Sequence, residues 1–230
     1  MSTASPHITT ARRIERKCIA PWWQKEQVWQ HFLHHPLRFA PSFEARKIHN
    51  VYLDDPVASL KTAHEAGISS RFKLRIRWYG ETREVFMHPQ LEVKHKEHYW
   101  GWKEVYPLPN LHGMAVQAWL KKPSLPEAAL ASPSLRQFSW RPVLLNAYRR
   151  HYLESAQRQY RVTLDEGLCF FPSLFHQRIG PGRFASDQLI IELKYGVALE
   201  STALPVVPLL PFRATAYSKY LTGWQLLYGN

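Results

Sequence analysis

Arg71-Phe72-Lys73-Leu74-Arg75-Ile76-Arg77 alternates four cations with three apolar residues. In a β-strand, successive side chains point to opposite faces. The run therefore predicts a strand with Arg71, Lys73, Arg75 and Arg77 on one face and Phe72, Leu74 and Ile76 on the other. Like charges stacked along one strand repel, so such a face becomes favourable when a polyanion lies on it. Two other stretches repeat the design with a carboxylate added: Leu91-Glu92-Val93-Lys94-His95-Lys96 and Ile191-Glu192-Leu193-Lys194. Near the start, Arg13, Glu15 and Lys17 share one face in the same way. Four strands, each with a charged and an apolar face, predict a closed or cupped sheet around a charged lumen.

Composition agrees with an anionic partner. The chain has 230 residues, with 30 Lys and Arg against 18 Asp and Glu, a net charge of +12 with His neutral. This length fits one domain with a sizeable core. The charge points to phosphate, nucleic acid or an anionic membrane surface; a basic surface kept for solubility is the plainer alternative. Cys18 and Cys169, the only cysteines, form neither a metal-type spacing nor a disulfide framework. No run of 18 apolar residues predicts a membrane helix. The start lacks the charged-then-apolar pattern of a secretory signal. A cytoplasmic protein without membrane insertion is expected.

Met1 to Thr10 reads as a disordered tail, and residues 11–230 as one domain. Strands are predicted over Ala11–Ile19, Ala45–Leu53, Ser70–Tyr79, Glu84–Met87, Gln90–Lys96 and Gln188–Tyr195, with Val143–Leu153 and Gln159–Leu164 as an antiparallel pair. Pro21–His34 reads as a helix with an apolar stripe of Trp22, Val28, Trp29, Phe32 and Leu33. Asp55-Pro56 opens a short helix that Gly67 closes. Another helix is predicted around Met114–Leu120. The last has Tyr217, Tyr220, Leu221, Trp224 and Leu227 at helical spacing. Lys121–Pro133, Ser173–Ser186 and Leu204–Pro211 read as loops. No βαβ alternation is visible, so the prediction is α+β: an antiparallel β-barrel with a charged, water-filled lumen and amphipathic helices packed outside.

A lumen lined with Arg and Lys suits a phosphate chain. Guanidinium groups bind phosphate oxygens as a fork, and ammonium groups act as point charges. Phosphoryl transfer also commonly uses a divalent metal, whose hard character favours carboxylate oxygens. Glu192, beside Lys194, is the leading metal ligand, with Glu15 and Glu92 behind it; pairing with neighbouring lysines is the alternative reading for each. Lys103, Arg150, Arg161 and Lys219 are further candidate phosphate ligands, though each taken singly also suits a solvated surface. His34-His35 and His95/His98 read as surface residues. Trp78, Trp100 and Trp102 are candidates for flanking a tunnel mouth, with core packing as the alternative. No Gly-rich phosphate loop, nucleophile elbow or dinucleotide fingerprint is present.

Several of these motifs, in order, resemble the vacuolar transporter chaperone (VTC) domain. They are Glu15-Arg16-Lys17, Asn50-Val51-Tyr52-Leu53-Asp54-Asp55, the basic strand continued as Trp78-Tyr79-Gly80, and Leu91-Glu92-Val93-Lys94. Tyr148 to Tyr152, Arg161 to Asp165, Ile191-Glu192-Leu193-Lys194 and Ser218-Lys219-Tyr220 complete the set. The resemblance spans about residues 11 to 223. It implies a triphosphate tunnel metalloenzyme: an antiparallel barrel whose lumen binds phosphate chains. Eukaryotic polymerase members convert the terminal phosphate of ATP into polyphosphate with a divalent metal, typically manganese. Carried over by motif, Arg75, Arg77, Lys94 and Lys219 are implied in catalysis, and Lys17, Lys103, Arg150 and Arg161 in phosphate binding. Arg71, Lys73 and Lys194 join the substrate-binding set by their alternation. Glu192 is the implied ligand for Mn2+ or Mg2+, with Glu15 beside it. Tunnel enzymes that hydrolyse triphosphates carry several alternating glutamates on the first strand. Here only Glu15 stands in such a place. The leading expectation is a polyphosphate polymerase using ATP. A triphosphatase acting on inorganic or organic triphosphate, and a non-catalytic polyphosphate-binding module, are the alternatives. A nucleic-acid binder is disfavoured, because its cations belong on an exposed face with stacking aromatics.

Overall fold

The computed structural model describes residues 7–125, 127, 135, 139–173, 181–185, 187–200 and 211–229, with side chains described from Arg12 onward. Among the described residues, nine strands form one antiparallel sheet. They are β1 (His7–Pro21), β2 (Ala40–Asp54), β3 (Ser70–Tyr79), β4 (Gln90–Glu97), β5 (Trp100–Pro107), β6 (Arg141–Glu154), β7 (Tyr160–Pro172), β8 (Arg183–Ala185) and β9 (Gln188–Gly196). Their order is β6-β2-β3-β4-β5-β1-β9-β7-β8, and β6 also pairs with β7. That extra pairing closes eight strands into a ring, with β8 as a short addition on β7. Closure removes the unpaired edges that an open sheet would expose.

Register fixes the two faces of the ring. Arg75 and Arg77 stand opposite Tyr52 and Asn50 on β2, and Arg75 stands opposite Glu92 on β4. Lys17 stands opposite Glu192, and Glu192 opposite Thr163. All of these point inward. The alternate residues point outward into two apolar layers. Val51, Leu74, Ile76, Trp78, Leu91 and Val93 pack with Val116, Trp119 and Leu120 of helix α3 (Val116–Lys121). Ile14, Cys18, Val162, Leu164, Ile191 and Leu193 pack with Val28 and Phe32 of helix α1 (Lys25–Leu33). Each such aliphatic or aromatic side chain contributes about 1.5–3 kcal/mol when fully buried.

The inner face is not charged throughout. Ile48, Tyr52, Leu144, Tyr148, Leu168, Phe170 and Ile190 form a third apolar cluster, with Ile19 beside it. The last helix, α4 (Lys219–Tyr228), covers this cluster through Tyr220, Leu221, Trp224 and Leu227. Ser218 caps α4 by accepting the Leu221 N–H at 3.3 Å. Gly223 lets it approach, because a Cβ there would lie 2.4 Å from the Phe170 ring. So α1 and α3 cover outer faces, as the sequence suggests, while α4 covers an inner one. Helix α2 (Ser59–Glu65) is held at its start by Asp54, whose carboxylate accepts from the Leu60 and Lys61 N–H groups at 3.0 Å each.

Several expectations are corrected. Strand β1 begins at His7, within the stretch read as a tail. The Pro21–His34 helix breaks into a 3-10 turn, Trp22–Gln24, followed by α1. Trp22 and Trp23 are 56% and 66% exposed, so Trp22 is not part of the buried stripe. Glu84–Met87 is not a strand; Val85 makes a single bridge to Ala115. Strand β5 was hidden by Gly101, which reads as a breaker. A Cβ there would lie 2.6 Å from the His95 carbonyl oxygen, so close β4–β5 approach requires glycine. Most of the Lys121–Pro133 loop, and residues 174–180, 186 and 204–210 of the other two, lie outside the described residues. Strand β8 occupies Arg183–Ala185 within the stretch read as loop.

Candidate active site: the charged inner face

Period-2 alternation on seven strands, together with the start of α4, delivers the charges to one place. Among the described residues, Lys17, Lys73, Arg75, Arg77, Lys94, Lys103, Arg150, Lys194 and Lys219 face four carboxylates, Glu15, Glu92, Asp165 and Glu192. The basic groups therefore outnumber the acidic ones by five.

Each carboxylate is enclosed by cations. Glu92, 2% exposed, accepts from Arg75 Nε at 2.8 Å and Nη2 at 2.6 Å, and from Lys103 Nζ at 3.0 Å. Arg77 Nη1 lies 3.7 Å away. Glu15 bridges Lys17 and Lys94, both at 2.9 Å. Asp165 takes Arg150 as a fork at 2.5 and 2.6 Å, and Lys219 at 2.5 Å. Glu192 meets Lys194 at 2.6 Å, Arg150 at 3.3 Å, Lys219 at 3.5 Å and Lys17 at 3.7 Å. Burial alone would raise these carboxyls. For Glu92 the nearby Arg77, Arg75 and Lys103 outweigh it and hold the group well below the usual carboxylate range. Lys94 and Lys17 do the same for Glu15, and Lys194, Lys219 and Lys17 for Glu192. Arg150 and Lys219 likewise lower Asp165.

Neutral groups orient the cations. Arg77 donates through Nε to Asn50 at 2.9 Å and through Nη2 to the Tyr148 hydroxyl at 3.1 Å. Asn50 in turn donates to Asn146 at 2.7 Å. Lys73 donates to the Ser218 hydroxyl at 3.0 Å and has no carboxylate within 4 Å among the described residues. Burial, together with Lys17 and Lys94, pushes its pKa well below the ordinary lysine value.

Two expected ligands lie apart from this centre. Arg161 is on the inward-facing parity of β7 but at the rim, 57% exposed and bound to Glu154 at 2.7 Å. Arg71 sits beside α2, donating to the Ile68 carbonyl and, at 3.2 Å, to His64 Nδ1. The tryptophan candidates are not at the lumen. Trp78 is fully buried in the outer layer on the parity of Leu74 and Ile76. Trp102 stands opposite His95 on the outer face, stacks on it at 4.6 Å, and packs against Trp100. His95 is thus not a free surface residue; it also bonds to Glu104 at 2.7 Å. His35 is buried too. Sequence reasoning missed Asp165, although Arg161-Val162-Thr163-Leu164-Asp165 carries the same alternation. It also missed Asn50, Tyr148 and Ser218, neutral residues that leave no charge signal.

The donor set accommodates a metal only in company with phosphate. Both oxygens of Glu15 and Glu192 already meet cations, and no group of three metal-binding side chains occurs among the described residues. A hard cation that takes most of its ligands from phosphate and water needs only one or two carboxylates. Glu192 and Glu15 meet that need on neighbouring strands β9 and β1.

A closed antiparallel ring with a cation-rich interior defines the triphosphate-tunnel fold. The VTC domain family model matches residues 12–228, and this chain belongs to that family. A candidate adenylate cyclase from Bacillus halodurans superposes with a TM-score of 0.56 at 14% identity, covering 98% of this chain and 100% of that one. A candidate adenylyl cyclase from Hippeastrum, described as having dominant triphosphatase activity, gives 0.48 at 13% identity, over 93% and 95% of the two chains. At such identities the likeness concerns the fold alone. No curated protein sequence matches the chain. No helix among the described residues is long and apolar enough to cross a membrane.

Proposed function

We propose that this protein is a metal-dependent polyphosphate polymerase that moves the terminal phosphate of ATP onto a phosphate chain inside the ring. The observation that supports the reading is the surplus of five basic groups over acidic ones on the inner face among the described residues. A polyanion offsets that surplus, and three or more linked phosphates supply the charge. Arg75 and Arg77 would grip phosphoryl oxygens as forks, while Lys94 and Lys219 would neutralise the charge that shifts toward the leaving group. Lys17, Lys103, Arg150 and Lys194 would position the rest of the chain. Glu192, with Glu15, would hold Mn2+ or Mg2+, which supplies Lewis-acid stabilisation of phosphate oxygens when bound.

The chemistry of the carboxylates favours transfer over hydrolysis. In polymerisation a terminal oxygen of the acceptor chain forms a P–O bond to the γ-phosphorus, and the bond to the β-phosphate oxygen breaks, releasing ADP. The acceptor oxygen is already anionic, so no proton must leave it. Hydrolysis requires water to lose a proton. Glu15, Glu92, Asp165 and Glu192 are all held in their ionised state by cations, which makes each a weak base. Incubation with ATP and manganese, followed by gel separation of products, tests the proposal. Long chains support it. Free phosphate in their place favours a triphosphatase, and binding without turnover leaves a polyphosphate-binding module.

A further inference from the structure

We infer that Phe43 and Arg46, at one mouth of the ring, form a platform on which the aromatic base of a nucleoside triphosphate stacks. The donor would then be chosen as a nucleotide and not as a bare phosphate chain. The inference rests on the proposed use of ATP, and it concerns a part of the mouth that phosphates alone would leave unused.

A bulge builds the platform. Period 2 places Arg46 on the inward face with Ile48 and Asn50, and would place Phe43, three residues earlier, on the outward one. Phe43 stands opposite Tyr152 and Arg46 opposite Arg150, so β2 advances three residues while β6 advances two. The extra residue turns Phe43 inward, as bulges at the rims of closed sheets re-aim side chains. Its ring meets Tyr152 edge-on at 5.7 Å. The Arg46 guanidinium lies 5.1 Å from the centre of the Phe43 ring and 5.8 Å from those of Tyr79 and Tyr152. Phe43 is 58% exposed, so one side of this cluster is open to a ligand. Arg46 is exposed too, and makes no ion pair among the described residues. Directly opposed like charges destabilise a strand pair. Arg150 is bound to Asp165, whereas Arg46 meets only rings.

The inner face changes character at this mouth. Two residues beyond Arg77 stands Tyr79, and two beyond Arg150 stands Tyr152, each on the inward parity. That step is roughly 7 Å along a strand. Burial pushes the Tyr152 hydroxyl up to about 12, against the pull of Arg150 and Arg77, so it stays protonated beside both guanidinium groups. Phosphates use Arg77 and Arg150 and gain nothing from apolar rings set next to them. A ligand that is anionic at one end and flat and aromatic at the other uses both. Stacking on a ring or a guanidinium plane accepts any base, because every base has a π-face. Purines present the larger face and should bind more tightly than pyrimidines.

Isothermal titration of the full chain without metal, at fixed ionic strength, would compare ATP, UTP and tripolyphosphate. The variants are Phe43→Ala, Phe43→Trp and Arg46→Lys, the last keeping the charge while losing the guanidinium plane. The readout is each variant's loss on ATP divided by its loss on tripolyphosphate. We expect a ratio of about fivefold or more for Phe43→Ala and about threefold for Arg46→Lys. Phe43→Trp should hold ATP at least as tightly as the parent, and the parent should prefer ATP to UTP. Because Phe43 is exposed, its variants should unfold at the parent's temperature, which thermal unfolding without ligand checks. A ratio near one for Phe43→Ala, or a tighter hold on UTP than on ATP, overturns the platform while leaving the phosphate-chain site standing. Failure of the parent to bind either ATP or tripolyphosphate overturns the proposed function, and the platform with it.

Discussion

Glu92→Gln removes a charge and leaves the shape of the side chain almost unchanged. Glu92 is 2% exposed and compensates Arg75 at 2.6 and 2.8 Å, Lys103 at 3.0 Å and Arg77 at 3.7 Å. Removing one partner of a buried ion pair costs about 3–5 kcal/mol, because the remaining charge stays desolvated. In a chain of this size each kcal/mol moves Tm by about 2–4 °C, so Tm should fall by about 6–20 °C. Glu65→Gln is the control. Glu65 pairs with Lys61 at 2.7 Å but is 49% exposed, and an exposed pair contributes at most about 1 kcal/mol. The second half of the prediction concerns rescue. A phosphate chain at a hundred times its Kd adds about 2.7 kcal/mol of stability. It should stabilise Glu92→Gln more than the parent, because the variant exposes three cations to the same anion. Differential scanning calorimetry with and without tripolyphosphate reads both effects. Equal Tm values for the two variants, or equal ligand-induced shifts in variant and parent, would refute the view that Glu92 is a counter-charge displaced in part by substrate.

Glu192→Gln should abolish turnover with manganese while metal-free affinity for tripolyphosphate holds or rises, since a repulsive carboxylate has gone. Full activity would assign Glu192 to charge balance. Arg77→Met should lower tripolyphosphate affinity by about tenfold or more, from loss of a charge-assisted contact worth roughly 1.5–3 kcal/mol; unchanged titration curves would make Arg77 structural. Gly223→Ala should destabilise by about 1–3 kcal/mol through overpacking against Phe170, and should also lower turnover by shifting Lys219 at the start of the same helix. Calorimetry and a steady-state assay check the two parts. Acid should unfold the protein early. Glu15, Glu92, Asp165 and Glu192 have folded-state pKa values below their ordinary ones, and the His151 hydrogen bond, opposed by burial but joined by Lys25, brings Glu166 to about 2. Their contribution is complete above the unfolded carboxyl pKa of about 4 and lost as pH falls through the folded values. A Tm that stays level from pH 5 to pH 2.5 would contradict this.

The inward-facing set was largely legible because charge alternates with apolar residues at period 2, and a one-residue slip would turn every cation into the apolar layer. That constraint is local, so it can be read along a single strand. What pairs with what is not local. Nothing along β3 says that Arg75 meets Glu92 while Lys73 meets Lys94, because strand register is set across the gap between β3 and β4. Arg161 carries the right parity but lies at the rim, a matter of where β7 sits along the ring axis. Strand β5 failed to show because one glycine needed for close approach looks like a strand breaker. Helix α4 was legible as an amphipathic helix, yet its apolar side faces the inside of the ring. Period 3.6 reports that a helix has an apolar side, not which sheet face receives it.

The two faces of the ring depend on each other energetically. Five uncompensated basic groups on the inner face repel, and that repulsion is smallest if the strands spread apart. The outer layers oppose spreading: Ile76, Leu91 and Val93 under α3, and Val162, Ile191 and Leu193 under α1, tie neighbouring strands together through continuous apolar contact. The inner apolar cluster under α4 does the same at one end. A ring held this way keeps its cations preorganised at near-fixed positions, so an arriving phosphate chain meets them with little reorganisation. The strain of the empty state then becomes part of the binding free energy. It follows that substitutions which loosen an outer layer, such as Ile191→Ala, should weaken phosphate-chain binding although the residue never faces the lumen. The loss should be greater at low salt, where repulsion among the cations is least screened. Binding that is insensitive to Ile191→Ala at all salt concentrations would mean that the inner charges are held by their own ion pairs alone.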